Sequence, residues 1–262
     1  MEIQFRNPGM QSMIESVLAF QTDGESAYWL DGLYAFYPQI DKDYACSLSF
    51  EDRCRYLSGI LEQIYQENAT TIDEKIGLYH EYWKQNKRQV EEALSDIFEM
   101  DCRSAFQDLI CDVSINPTSP RFLKEKRFEV FFLNSEKGAL GMSLHEIMHI
   151  VWFDKWNKLF ADSYEEYERP TLKWILSEMV VETLMKDPRL SNLNPYFPRE
   201  HGGCIYPYFF DMKAGNDLVL EKIDGMHDAL RIGDFMKESY QYLLNHEKEI
   251  RQHIEAEEAK GW

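Results

Sequence analysis

Long apolar runs are missing from this chain of 262 residues, and none reaches the roughly 18 consecutive apolar residues that span a bilayer. The N-terminal stretch has no basic segment leading into an apolar core, because Glu2, Arg6, Glu15 and Asp23 interrupt it, so a secretory signal is not expected. Cysteine is sparse. The five, at positions 46, 54, 102, 111 and 204, are odd in number and lack CxxC spacing, which fits reduced thiols in a cytoplasmic protein with no membrane partner. Positive charge is also short: 28 Lys and Arg face 46 Asp and Glu, a net charge of −18. A surface of that sign repels phosphate backbones and sets nucleic acid aside as a partner. Internal repeats and low-complexity linkers are absent too.

What remains is enough apolar material, 44% of residues with 14% aromatic, for one large core or two lobes. The first hundred residues carry helical periodicity near 9–21, 25–38, 50–67, 72–86 and 88–110, with Tyr28-Trp29, Tyr79 and Tyr82-Trp83 as helix-packing residues. Residues 231–258 form another long helix with a charged face. Two runs are rich in strand formers. Leu109 to Ile115 ends at Asn116-Pro117-Thr118-Ser119-Pro120, and Arg127 to Leu133 precedes a turn at Asn134 to Gly138. The expected fold class is therefore α+β, with a helical lobe over residues 1–105, a mixed lobe over 106–262 and a cleft between them.

Residues 145–149 read His145-Glu146-Ile147-Met148-His149, an HExxH pattern in an uncharged stretch from Met142 to Phe153. On a helix, His145 and His149 lie one turn apart on one face, close enough for both imidazoles to hold a single zinc ion. Glu146 then stands beside the metal, where a carboxylate can take a proton from a water whose pKa the metal lowers to about 7. Three fixed positions arise by chance in about one chain of this length in a hundred, so the flanks matter. They would bury the helix and leave two imidazoles and a carboxylate in need of partners. The bland alternative is a core helix whose histidines bond to neighbouring backbone or carboxylates.

Catalytic zinc usually takes three protein ligands, so another must come from elsewhere. Residues 170–185 read as a helix, with Pro170 at its first position, apolar residues from Leu172 to Met185 at helical spacing, and Asp187-Pro188 ending it. Glu178 and Glu182 share one face, bordered by Ile175, Met179 and Val181. One could bind the metal while the other orients a ligand histidine, unless the pair is simply solvated.

These two segments, about 45 residues together, make the chain resemble the zincin metallopeptidases and, among them, the gluzincins. The resemblance implies a zincin-like core with a small mixed sheet, a Zn2+ cofactor and hydrolysis of a polypeptide substrate. It assigns His145, His149 and Glu178 as ligands, Glu146 as general base and Glu182 as the residue behind the ligands. No HExxHxxGxxH continues past His149, which departs from the metzincins, and His201-Gly202-Gly203-Cys204 follows the motif helix, whereas the cysteine motif of peptide deformylases precedes it. The gap of 29 positions from His149 to Glu178 (178 − 149) is generous, so Glu165, Glu166 and Glu182 stay open as ligands. The zincin likeness also implies an edge strand, for which Arg127 to Leu133 is the candidate, and a Tyr or His to hold an oxyanion, for which His201, Tyr206, Tyr208 and His227 are available. His201 and Cys204 form a single HxxC pair that could bind metal or mark a nucleophile. Two rival functions remain: a metal-binding regulatory or partner-recognition protein with little or no proteolysis, and a helical interaction protein without metal.

Overall fold

A computed structural model describes residues 1–21, 27–203 and 205–260, with no account of the side chains of residues 27–30. Tyr28, Trp29 and Cys204 therefore lie outside the described side chains. The chain runs β1 (Ile3–Arg6), α1 (Met10–Ala19), α2 (Ala27–Phe36), α3 (Lys42–Ser47), α4 (Phe50–Phe98), α5 (Cys102–Ala105), β2 (Leu109–Ser114), β3 (Arg121–Phe122) and β4 (Arg127–Phe131). It continues through α6 (Glu136–Phe160), α7 (Leu172–Leu184), α8 (Pro188–Ser191), β5 (Lys213–Ala214), β6 (Asp217–Leu218), α9 (Val219–Ala229), α10 (Ile232–Asn245) and α11 (Glu247–Glu258). The class is α+β, helix-rich with a small mixed sheet.

The three helices expected between residues 50 and 110 are one helix of 49 residues, about 74 Å long at 1.5 Å per residue. Its expected breaks, at 68–71 and 87, hold neither Gly nor Pro, and Asn68 bonds back to the Ile64 carbonyl at 2.8 Å inside the helix. Ser49 caps the start, and the end comes at Glu99, whose φ of 48° leaves the helical region. The expected extension to residue 110 fails there: α5 is a separate turn capped by Asp101, and the chain is extended from Leu109. Leu57, Leu61, Ile64, Ile72, Tyr79, Trp83, Val90, Leu94 and Phe98 form the buried stripe of α4. The C-terminal helix is likewise divided, at His246, whose backbone leaves helical geometry and lets α11 pack on β5.

The sheet order is β1-β2-β4-β3, with β1, β2 and β4 parallel and β3 antiparallel to β4. The run from Arg127 was expected at the edge; it lies inside, and the two-residue β3 is the edge on that side. Alternation along the strands gives the sheet two different faces. Ile3, Phe5, Leu109, Cys111, Val113, Phe128 and Val130 are buried on the face toward α4 and α6. The opposite face carries Arg6, Asp112, Ser114, Arg127 and Glu129, tied by ion pairs from Arg6 to Asp112 at 2.6 Å and from Arg127 to Asp112 at 3.0 Å. One hydrophobic cluster runs from Met1 to Ile250, and β1, from the first segment, pairs with β2 from the second.

Two helices carry the candidate residues. Ser135 caps α6 by accepting from the Gly138 amide at 3.0 Å, and the helix is buried over most of its length. Gly141 lets it approach the segment after α8, because a Cβ there would stand 2.6 Å from Asn194 Oδ1 and 2.9 Å from Pro195 Cδ. Thr171, not Pro170, borders α7: its hydroxyl accepts from the Trp174 amide at 3.2 Å. Every residue from Leu172 to Leu184 is buried, so this is a core helix, apolar nearly all round, rather than an amphipathic surface one.

Candidate metal centre

Helical spacing on α6 brings the Nε2 atoms of His145 and His149 to 3.0 Å from each other. Glu178 reaches in from α7, with Oε2 3.6 Å from His145 Nε2 and Oε1 3.6 Å from His149 Nε2. Bonds of about 2 Å at tetrahedral angles require ligand atoms about 3.3 Å apart, so the three side chains have the spacing that one ion needs. Glu146 projects beside them, Oε1 3.9 Å from His145 Nε2. The ligand atoms of His145, Glu146 and His149 lie within 4.8 Å of one another, and no group of three His, Cys, Asp or Glu side chains elsewhere among the described residues does so.

Burial sets the electrostatics. His149 is fully buried, and burial first, then the Arg121 charge, lowers its pKa to about 3, which holds a neutral imidazole. For His145 burial also pulls downward, but the carboxylates of Glu178 and Glu146 outweigh it and the net direction is up. Burial raises Glu146, against the pull of His145 and Arg121. Glu178 feels the same burial yet is held well below the usual carboxylate range by His149, Arg121 and His145. Two buried atoms, His149 Nδ1 and Glu146 Oε2, have no hydrogen-bond partner. Neither is a candidate ligand atom; the fit to a cation rests on the donor set, because imidazole nitrogens and carboxylate oxygens suit a borderline ion such as zinc. The residues present fit the ion.

One cation is already in place. Arg121, on β3, donates from Nη1 to Glu178 Oε1 at 2.9 Å and stands 4.0 Å from Glu146 Oε2. Sequence reasoning missed it, since a lone arginine has no spacing signature; the available signal was its position in the first strand-forming residues after the Pro117 to Pro120 turn.

The other expected residues divide cleanly. Glu182 is buried one turn along α7 from Glu178. Glu165 and Glu166 are not at the centre: Glu165 pairs with Lys124 at 2.5 Å on the surface, and Glu166 pairs with Lys173 at 2.5 Å in the turn before α7. Tyr206 belongs to the centre's surroundings. Burial, then the Glu178 charge, pushes its phenol well above the usual range, and its ring packs 5.6 Å from Trp174. Tyr208 stacks beside it at 5.3 Å. His201 is exposed and contacts the Phe197 carbonyl at 3.2 Å, while His227 sits on α9 against Phe235 and Asp228. Neither joins the cluster, and the HxxC pairing of His201 falls outside the described residues because of Cys204.

No protein-family model, curated protein or solved structure matches the chain. No helix among the described residues is long and apolar enough to cross a membrane.

Proposed function

We propose that the chain is a metal-dependent hydrolase of polypeptides, with Zn2+ as the cation and a gluzincin-like zincin core. The observation that carries this reading is the convergence of His145 Nε2, His149 Nε2 and both Glu178 oxygens around one point, with a carboxylate oxygen of Glu146 left without a hydrogen bond beside it. Hydrolysis needs that asymmetry. A structural site closes with four protein ligands, whereas a catalytic one keeps an open position and a base next to it.

In this reading His145, His149 and Glu178 hold the ion, and a bound divalent cation supplies Lewis acidity and acidifies water. Glu146 takes the water's proton and returns it to the departing amine, so that water adds across the peptide bond with no net proton change. Its raised pKa brings its basicity nearer to neutral pH, and the buried walls on α6 and α7 exclude competing water. Glu146→Gln tests the assignment, since it preserves shape but cannot accept the proton. The variant should keep about one zinc per chain and its melting temperature, while cleavage of an unstructured peptide library falls at least about 100-fold. Equal cleavage by variant and wild type would place the hydrolysis elsewhere.

A second reading, a helical interaction protein without metal, has one observation in its favour. The Arg121 guanidinium already neutralises Glu178 at 2.9 Å, and the two imidazoles can share one hydrogen bond at 3.0 Å. Metal analysis of protein purified without a histidine tag separates the two.

A further inference from the structure

The charges around the centre do not balance once a divalent ion is counted. Among the side chains that contact one another there, the metal-free centre holds two carboxylates, Glu146 and Glu178, one guanidinium, and imidazoles that carry no charge when they serve as ligands. A divalent cation turns that net of −1 into +1. It also competes for the carboxylate oxygen that Arg121 holds, because Glu178 Oε1 lies both 2.9 Å from Arg121 Nη1 and 3.6 Å from His149 Nε2. A guanidinium cannot shed its charge, and the Arg121 side chain is only 15% exposed, so with Glu178 turned to the ion it keeps Glu146, 4.0 Å away, and has donors left for an anionic oxygen.

The strand makes that anion's position specific. β3 pairs with β4 on one side only, Arg121 opposite Phe128, which turns Arg121 toward α6. Phe122 points the other way, and Arg127 stacks on its ring at 3.5 Å, which pins the strand from its far face. Arg121 thus stands on the sheet edge where an extended chain can add, with its charged head at the candidate metal centre.

We propose that Arg121 is the anion-holding residue of this site, released from Glu178 when a divalent cation binds and passed to an anionic oxygen of the ligand beside the ion. The proposal rests on the metal reading above. It assigns the oxyanion role, expected of a Tyr or His, to an arginine on the edge strand, and it makes carboxylate, phosphonate and tetrahedral oxyanion groups the preferred ligands. A forked guanidinium suits such oxygens because it offers two parallel charge-assisted bonds.

The experiment uses the full chain, wild type and Arg121→Gln, loaded with zinc and assayed for metal content before any ligand is added. Each is then titrated calorimetrically with inorganic phosphate and, separately, with imidazole, a neutral metal ligand. Both proteins should carry about one zinc and bind imidazole equally, while phosphate should bind between about tenfold and a hundredfold more weakly to the variant. Phosphate affinity equal to wild type in Arg121→Gln, or in Arg121→Met should the glutamine variant fail to fold, overturns the proposal. Wild-type protein that takes up no zinc overturns the metal reading and this proposal with it, and the metal assay identifies that outcome before the titrations begin.

Discussion

Glu129 should make the protein less stable as pH rises, by an amount the sheet lets one work out. It sits in the middle of β4 on the polar face, 3% exposed, in register with Asp112 on β2. Burial pushes its pKa from 4.5 to about 7; hydrogen bonds from Ser16 and Ser114 and the Arg127 charge oppose the rise, while Asp112 adds to it. Arg127 is 3.9 Å away, and its shorter contact, at 3.0 Å, goes to Asp112, as does that of Arg6. One oxygen, Oε2, has no hydrogen-bond partner. A pKa raised on folding means the folded state holds the proton more tightly than the unfolded state. The associated stability is full below the unfolded pKa and is lost as pH rises toward the folded one. A shift from 4.5 to about 7 corresponds to about 3 kcal/mol, of which about 2.5 kcal/mol falls between pH 5 and pH 8.

Glu129→Gln removes the titration and keeps groups able to bond Ser16 and Ser114. Urea unfolding of both proteins at several pH values isolates the effect, because every other titrating group cancels in the difference. The variant should gain on wild type steadily from pH 5 to pH 8, by roughly 2 to 3 kcal/mol in total. A difference that stays flat across that range, or that shrinks with pH, would mean that Glu129 is ionised and compensated in the folded protein, and the account of the polar face would be wrong.

The metal reading makes two further predictions, and the packing of α6 a third, each with its own readout. Glu178→Ala should lower zinc affinity severely and Glu182→Ala by about 10 to 100-fold, the range for a residue behind the ligands; competition with a fluorescent chelator ranks them, and the reverse order would exchange their roles. Zinc at about a thousand times its dissociation constant should add about 4 kcal/mol of stability to wild type and none to His149→Ala, measured by denaturant unfolding with and without chelator; a chelator-insensitive wild type contradicts the site. Gly141→Ala should destabilise by about 1 to 3 kcal/mol, because its Cβ would meet Asn194 Oδ1 at 2.6 Å on a segment fixed against α6; a neutral effect would show that this segment yields.

What could be read from the sequence was what a single helix turn determines. The spacing of His145 and His149 translates directly into two converging nitrogens, and the periodicity around Glu178 places it on a helix whose every side is buried. The continuity of α4 was hidden for a related reason. Apolar periodicity weakens at 68–71 and 87, where Asn68, Thr70, Thr71 and Lys87 interrupt it, but a weak stripe is not a break without Gly or Pro. The strand β1 was invisible because four residues with Gln4 and Arg6 among them do not look like a strand, and Arg6 finds its partner Asp112 only 106 positions later.

Arg121 lies beyond local reasoning for a deeper cause. Its side chain reaches Glu178 only because β3 pairs with β4 in one register, Arg121 with Phe128 and Phe122 with Arg127. Side chains alternate with a period of two, so a slip of a single residue would turn Arg121 to the far face and present Phe122 to Glu146 and Glu178. Two buried carboxylates would then face an aromatic ring, at a cost that proton uptake or a bound cation would have to offset. The register of a two-residue strand therefore sets how the metal-free centre balances its charge. The stacking of Arg127 on Phe122, which holds that register from outside, belongs to the site as much as the histidines do.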